Sequence, residues 1–209
     1  MSQAKTKTAP KPLKRSAKQA RSKATVETIL EATAQILARE GLAKLNTNAI
    51  AKRAGVSVGS IYEYFSNKRE IIDALLDRHL AQGEAAVLEG AAILNEDPSP
   101  EDVVRALVSG AVRLHENDPA LHRVLSTQIE LDEAQRQRVE GLRTSLIAAI
   151  SNALAASVEE PQIKATILVD TADALAYRWI VDEVGTLVPA ETLAAEMTKM
   201  LSAYIAAPG

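Results

Sequence analysis

The side chains best suited to chemistry lie close together between Leu45 and Lys68. This stretch carries hydroxyl, amide, phenol and ammonium groups within a few helical turns. Such groups donate hydrogen bonds to phosphate oxygens and to the edges of nucleic-acid bases. The stretch therefore predicts a surface that binds nucleic acid.

The same stretch also fits a catalytic motif, because Gly55-Val56-Ser57-Val58-Gly59 reads Gly-x-Ser-x-Gly. In serine hydrolases this nucleophile elbow follows a strand and acts with a distant histidine and an oxyanion loop. Here a helical pattern precedes the motif, and no segment of the chain has a convincing strand pattern. The sequence therefore does not favour an enzyme, and no catalytic residue is predicted.

The elements that position these groups are two short helices around a tight turn, over about 47–54 and 58–65. Thr47 is predicted to cap the first helix and Ser57 the second, since a hydroxyl can accept an unpaired N–H of the first turn. Gly55 can adopt the positive φ that ends a helix. The inward-facing positions are Ile50, Ala51, Ala54, Ile61 and Phe65. This pattern predicts a helix-turn-helix, whose second helix enters a DNA major groove.

The motif closely resembles the signature of the TetR family of bacterial transcriptional regulators. The residues that carry the resemblance are Thr47, Ile50, Ala51, Ala54, Gly55, Val56, Ser57, Gly59, Ile61, Tyr62, Tyr64, Phe65, Asn67 and Lys68. The resemblance implies an all-α fold of about nine helices. It has an N-terminal three-helix DNA-binding domain and a larger helical domain for effector binding and dimerisation.

Composition and charge agree with this plan. Of the 209 residues, 47% are hydrophobic and 3% aromatic, and there is no cysteine, so disulfides and thiolate metal sites are excluded. No apolar run approaches the ~20 residues of a membrane span. Residues 1–69 carry fourteen Lys and Arg against four Asp and Glu, whereas residues 70–209 have a net charge of −13. A basic head on an acidic body is typical of a DNA-binding domain joined to a region that does not bind DNA.

Three regions are predicted along the chain: a basic disordered arm over 1–21, the DNA-binding domain over 22–69, and the effector-binding and dimerisation domain over 70–209. The first helix is expected from about Ser22 to Arg39. The arm is either a solubilising tail or a segment that follows phosphates or enters the minor groove. A secretory signal is not favoured, because no apolar core follows residues 1–23. A mitochondrial transit peptide remains an alternative for those residues.

The predicted DNA contacts divide into positioning and reading. The family resemblance implies backbone contacts from Thr47, Tyr62, Tyr64 and Lys68. The candidates for base reading are Asn48, Ser57, Val58 and Ser60, and Gly59 is a further predicted DNA-binding residue. Residues 57–65 lack Lys and Arg, so the common bidentate contact to guanine is not available from this helix. We therefore expect modest specificity per half-site, with dimerisation and the basic arm contributing the remaining affinity.

The resemblance implies a homodimer built from the last two helices of each chain. Two apolar stripes are predicted to form this interface: Ile163, Ile167 and Ala174 on one helix, and Leu193, Met197, Met200, Leu201 and Tyr204 on the other. A two-fold dimer presents two recognition helices to a palindromic operator in double-stranded DNA.

Four further helices are predicted: helix 4 from Asn67 towards Leu94, helix 5 over about 101–116, a short helix 6 that ends near Ile129, and helix 7 over about 131–156. A ligand pocket is expected among helices 4 to 7, also from the resemblance. The polar candidates for orienting an effector are Arg105, Arg113, His115, His122 and Gln128. Aromatic residues are scarce there, so an aliphatic pocket and an apolar small-molecule effector are expected. Three scattered histidines without carboxylate partners at ligand spacing do not favour a metal site, and no cofactor is predicted.

The sequence thus predicts a cytoplasmic, bacterial, sequence-specific DNA-binding regulator, a repressor that a small-molecule effector releases from its operator. Helix 4 is the expected lever, because it belongs to both regions. The alternative is an architectural or activating DNA-binding protein without an effector.

Overall fold

The computed structural model describes residues 14–93, 98–182 and 188–207. Within these ranges the chain forms nine α-helices and no strand, which confirms the all-α prediction. The helices are α1 (Lys14–Glu40), α2 (Thr47–Ala54), α3 (Val58–Tyr62), α4 (Lys68–Ile93), α5 (Pro100–Glu116), α6 (Pro119–Gln128), α7 (Glu133–Leu154), α8 (Pro161–Ala176) and α9 (Ala190–Ala206). A π-helical turn, Tyr177–Val181, continues α8.

The first helix begins earlier than the sequence predicted. It starts at Lys14 rather than near Ser22, so residues 14–21 of the predicted disordered arm are helical. These residues contain neither proline nor glycine and can therefore extend the amphipathic helix that follows. Residues 1–13 of the predicted arm lie outside the described residues, and so does Leu94, where helix 4 was expected to end.

The first of two hydrophobic cores holds the helix-turn-helix. Buried aliphatic side chains of α1 surround Ile50 of α2, Ile61 of α3 and Leu75 of α4. Helix α6 closes this core with Leu121, Val124 and Leu125, together with Ile129, which directly follows the helix. The core of the DNA-binding region therefore includes a helix that lies some fifty residues beyond the predicted boundary at residue 69, and the division into domains stays a prediction.

The second core joins α5, α7, α8 and α9. Val104 and Val108 of α5 are fully buried there, together with Ile150 of α7 and Leu168 of α8.

Two ion pairs outside this core link α7 to neighbouring helices. Arg138 donates to both carboxylate oxygens of Glu84 on α4 (3.0 and 3.1 Å), and Arg143 donates to both oxygens of Asp170 on α8 (2.8 Å each). Paired hydrogen bonds of this kind fix the orientation of one helix against another.

Candidate DNA-binding surface and ligand pocket

The cap of α2 lies one residue earlier than predicted. Asn46 has an extended backbone (φ −151°), and its Oδ1 accepts a hydrogen bond from the N–H of Ala49 at 2.9 Å. Thr47 is therefore the first residue of the helix, and its prediction as the cap was wrong. The preceding asparagine supplies the acceptor because it keeps the non-helical conformation that a cap requires.

The turn and the second cap agree with the sequence. Gly55 has φ 68°, a left-handed conformation that glycine adopts without steric cost, and it ends α2. Ser57 Oγ accepts from the N–H of Ser60 at 2.9 Å and lies 2.8 Å from the hydroxyl of Ser60. A helix and not a strand precedes this glycine, so the Gly-x-Ser-x-Gly sequence here forms a helix-turn-helix turn.

The recognition helix is shorter than expected, because α3 ends at Tyr62 and not near Phe65. The chain turns there, with the N–H groups of Tyr64 and Phe65 both donating to the carbonyl of Ile61. This turn buries Phe65 in the first core and leaves Tyr62 55% exposed. Tyr64 is half-buried against the core, so its ring packs and only part of the side chain reaches the surface.

The candidates for base reading differ in how much of each side chain is available. Asn48 and Ser57 are exposed, whereas Ser60 is half-buried. Gly59 is also exposed but offers only its backbone. Val58 is also half-buried and packs against the first core, which limits the methyl surface that it could offer to a thymine. The hydroxyls of the two serines already bond to each other, so Asn48 has the most freely available polar side chain of this group.

Lys68 occupies an electrostatically unfavourable position at the first residue of α4, where it is exposed. The neighbouring Asn67 and Glu70 cap this helix: Asn67 Oδ1 accepts from the N–H of Glu70 (3.1 Å), and Glu70 accepts from the N–H of Ser66 (2.7 Å). A helix N-terminus carries partial positive charge, which disfavours a lysine but favours a phosphate. The arrangement suits Lys68 to binding a phosphate of the DNA backbone.

Asn46, the cap of α2, and Asn48, a candidate for base reading, allow a test of whether stability and DNA binding depend on different residues. Asn46→Ala removes the cap of α2, and we expect it to lower the free energy of unfolding by about 1 kcal/mol. Asn48→Ala removes an exposed side chain that has no part in the cap, so stability is expected to change by less than about 0.5 kcal/mol while operator affinity falls. Urea unfolding and DNA titration of both variants measure the two effects. Equal losses of stability would show that the cap is not the difference between them.

A cavity of about 500 Å³ lies between α4, α5, α6, α7 and α8. Its wall is mainly aliphatic and includes Leu80, Val87, Leu107, Leu114, Leu142 and Leu146. Its volume is within the range of small-molecule sites, about 300–1,000 Å³. The cavity lies among helices 4 to 7, as the resemblance implied, with α8 as an additional wall.

Only two of the five predicted pocket residues line this cavity. His115 and His122 do so, and His115 is almost completely buried at 2% exposure. Arg105 points away and donates to Glu101 at 2.7 Å, while Arg113 and Gln128 are exposed and lie outside the wall. These three residues do not line the cavity because the inner face of each helix carries the aliphatic residues, and the three side chains occupy the opposite face.

The histidines, scattered in sequence, meet at one end of the cavity. His79 Nε2 and His122 Nδ1 are 3.2 Å apart, and the rings of His115 and His122 meet edge-on with centroids 4.7 Å apart. His115 Nε2 donates to Asp173 Oδ1 at 3.0 Å. The hydroxyls of Ser126 and Tyr177 are 2.9 Å apart beside them. His79 and Tyr177 were not predicted as pocket residues, because nothing in the local pattern of α4 or α8 shows that they share a wall.

Burial controls the charge of this cluster. The pKa of His122 is lowered to about 4, chiefly by burial and also by the neighbouring His115 and His79, against the opposing effect of Asp173. Burial also lowers the pKa of His79, against the opposing effect of Asp118. Both imidazoles are therefore neutral at pH 7. Within the described residues no group of three or more His, Cys, Asp or Glu is arranged to hold a metal ion.

Helices α4 and α6 contribute to both the cavity and the first core. Leu76 of α4 and Leu125 of α6 are buried among the side chains that support the helix-turn-helix, and both also line the cavity. His79 follows on α4, and His122 and Ser126 flank Leu125 on α6. The cavity and the core beneath α2 and α3 therefore share side chains of these two helices.

The predicted dimer residues fall into two groups. Ile163, Ile167 and Met200 are 53%, 41% and 47% exposed, and Ala174 is also exposed. Leu193, Met197 and Leu201 are buried in the second core of the same chain, and Tyr204 is half-buried beside them. The apolar stripe of α9 therefore packs largely against α5, and Leu193, Met197 and Leu201 are not available to a partner.

None of the helices in the described ranges is both long and apolar enough to cross a membrane.

Two family profiles match the chain. Residues 29–75 match the one described as bacterial regulatory proteins, tetR family. Residues 99–205 match the one described as tetracyclin repressor-like, C-terminal domain. The first match covers the helix-turn-helix, and the second covers the helices around the cavity together with α9.

Individual proteins agree with the profiles. The fatty acid metabolism regulator protein of Bacillus subtilis is 26% identical over 163 residues, which cover 77% of this chain and 81% of that protein. An uncharacterized HTH-type transcriptional regulator of Mycobacterium bovis is 28% identical over 184 residues, covering 85% and 92%. The structure of the transcriptional regulator FadR from Bacillus subtilis in complex with stearoyl-CoA aligns with a TM-score of 0.61 at 18% identity, covering 88% of this chain and 99% of that one. At this identity the structural likeness shows a shared fold.

Proposed function

We propose, from the premise that this chain belongs to the tetR family of bacterial regulatory proteins, that it is a dimeric repressor released from a palindromic operator by an apolar effector. One observation carries the proposal. Helices α4 and α6 supply residues both to the core beneath the helix-turn-helix and to the wall of the cavity.

The shared helices provide the mechanism of release. Leu76 and Leu125 touch both sites, so a ligand that moves α4 or α6 also moves the base on which α2 and α3 rest. Arg78 of α4 reinforces this link by donating to Glu27 of α1 at 3.2 Å. An effector that favours one arrangement of these helices lowers operator affinity by its differential affinity for the two arrangements.

The exposed apolar residues of α8 and α9 support a dimer. Ile163, Ile167, Ala174 and Met200 lie on the surface of the helices that form the second core. A two-fold pairing of this face would bury them and would present two recognition helices on one side of the DNA. Because α3 carries no Lys or Arg, a single helix-turn-helix offers few strong base contacts, and pairing supplies the affinity.

The cavity and the relatives together indicate the kind of effector. The wall is largely aliphatic, and the polar groups gather at one end. One relative regulates fatty acid metabolism, and a structure of the same fold holds stearoyl-CoA. We therefore propose a long-chain acyl compound as the effector.

Selection of binding sites from a random duplex library tests the proposal. We expect a palindromic consensus, and titration with long-chain acyl-CoA is expected to weaken binding to it. Lys68→Gln should lower affinity for all sequences and reduce the salt dependence by about one phosphate contact. Arg113→Gln is the control, because it removes one exposed positive charge outside the helix-turn-helix.

The outcomes separate the alternatives. Salt-sensitive binding to all duplexes without enrichment would support an architectural protein. A palindromic consensus whose binding is unaffected by acyl compounds would contradict effector release. Equal salt dependence of Lys68→Gln and the unmodified protein would remove Lys68 from the DNA contacts.

A further inference from the structure

The cavity has a sharply divided wall. Six side chains form a connected polar patch: His79, His115, His122, Ser126, Asp173 and Tyr177. The remaining wall is almost entirely aliphatic. A ligand that fills such a cavity has a hydrocarbon part and one polar group that reaches this polar patch.

The charges of the polar patch do not suit an anion. The imidazoles of His79 and His122 are neutral at pH 7 because burial lowers the pKa of each. His115 is bonded to Asp173, so this pair has no net positive charge. Arg143, the one Lys or Arg in the described wall, already binds both carboxylate oxygens of Asp170. A buried carboxylate would find no counter-ion there, and burial of an unpaired charge is strongly unfavourable.

The hydrogen-bonding capacity of the polar patch suits an uncharged group. A neutral imidazole has one N–H donor and one bare nitrogen. The contact between His79 Nε2 and His122 Nδ1 uses one of each, whichever ring donates. One donor and one acceptor therefore remain at the outer nitrogens, His79 Nδ1 and His122 Nε2. Ser126 Oγ donates to the carbonyl of His122 at 2.9 Å, so Tyr177 donates to Ser126 and its oxygen can still accept.

We propose that the effector is a long aliphatic chain carrying an uncharged carbonyl or hydroxyl group, that either group binds the His79–His122 pair while a hydroxyl also donates to Tyr177, and that the free carboxylate is selected against. The proposal rests on the proposed effector pocket and adds the chemistry of the group that it recognises. His122 and Tyr177 are the specificity-determining residues: His122 offers either a donor or an acceptor, and Tyr177 offers an acceptor.

Three probes with the same chain length test the head group: dodecanol, methyl dodecanoate and dodecanoate. Calorimetric titration is performed below the micelle-forming concentration, at a pH where dodecanoate is ionised. We expect the alcohol and the ester to bind at least about tenfold more tightly than the carboxylate, which corresponds to the loss of one or two hydrogen bonds and an uncompensated charge.

Two variants locate the selectivity. His122→Phe keeps an aromatic ring but removes both nitrogens, and we expect the affinity for the alcohol and the ester to fall and their preference over the carboxylate to shrink. Tyr177→Phe removes a single hydroxyl and is expected to weaken alcohol binding by about threefold. It keeps the ring contacts and so tests the proposal even if His122→Phe does not fold. Gln128→Ala is the matched control, because Gln128 is exposed on the same helix as His122 and lies outside the wall.

The results distinguish this inference from the proposed function. Equal or tighter binding of dodecanoate would overturn the head-group inference and leave the effector pocket intact. Unchanged selectivity in both His122→Phe and Tyr177→Phe would also overturn it. Failure of all three probes to bind, while the operator still binds, would overturn the acyl effector pocket together with the inference.

Discussion

Gly110→Leu is expected to keep the protein bound to its operator in the presence of the proposed effector. Gly110 lies on α5 in the wall of the cavity, and a Cβ added there meets no atom within 4 Å. The leucine side chain can therefore enter the cavity without disturbing the second core and would occupy volume that the effector needs. We expect effector affinity to fall roughly 10- to 100-fold, because forcing extra methyl groups against a bound ligand costs about 1–3 kcal/mol.

Operator affinity without effector is expected to remain unchanged, because Gly110 contacts neither α2 nor α3. Gly141→Leu on α7 is the matched control: Gly141 is exposed, also has no atom within 4 Å of an added Cβ, and lies outside the wall. Both substitutions improve helix propensity to a similar extent, so a difference between them reports on the cavity. DNA titrations at increasing effector concentration measure the effect. A normal response of Gly110→Leu would place the effector elsewhere.

Ile167→Glu is expected to produce a monomer that binds the operator at least 100-fold more weakly. Ile167 is 41% exposed on α8, and Ile163 lies one turn away on the same face. In a two-fold interface each substitution places a carboxylate near its symmetry mate. An unpaired buried charge costs about 3–5 kcal/mol, which is enough to separate the protomers.

Leu88→Glu is the control for this substitution. Leu88 is also a large exposed apolar residue, but it belongs to α4 and not to α8 or α9. Sedimentation measures the oligomeric state, and DNA titration measures the affinity of each variant. A dimer that persists in Ile167→Glu would contradict the proposed interface. A monomer with full operator affinity would contradict the need for pairing.

The sequence alone predicted the features that short-range geometry controls. Ser57 as the cap of α3, Gly55 at positive φ and the inward positions of Ile61 and Phe65 all follow from hydrogen bonds and spacings within a few residues. The sequence predicted Thr47 as the cap of α2, one residue after the observed cap, Asn46. Both side chains can cap a helix, and the choice depends on which of them keeps an extended backbone.

Only the tertiary structure decided what each apolar face packs against. The periodicity of α9 correctly showed one apolar stripe, but Leu193, Met197 and Leu201 turn towards their own chain, while Met200 faces outward. The addition of α6 to the first core could not be read from its own sequence either, because amphipathicity gives the direction of burial within a helix and not the identity of its neighbour.

The meeting of His79 and His122 is the clearest example of this limit. They are 43 residues apart in the chain, and their 3.2 Å contact depends on how α4 and α6 are held by the first core. The sequence by itself determined an all-α, DNA-binding member of its family, because that identity rests on a local motif. The tertiary structure decided the wall of the cavity and its polar patch, because distances between side chains on separate helices depend on the packing of the whole chain.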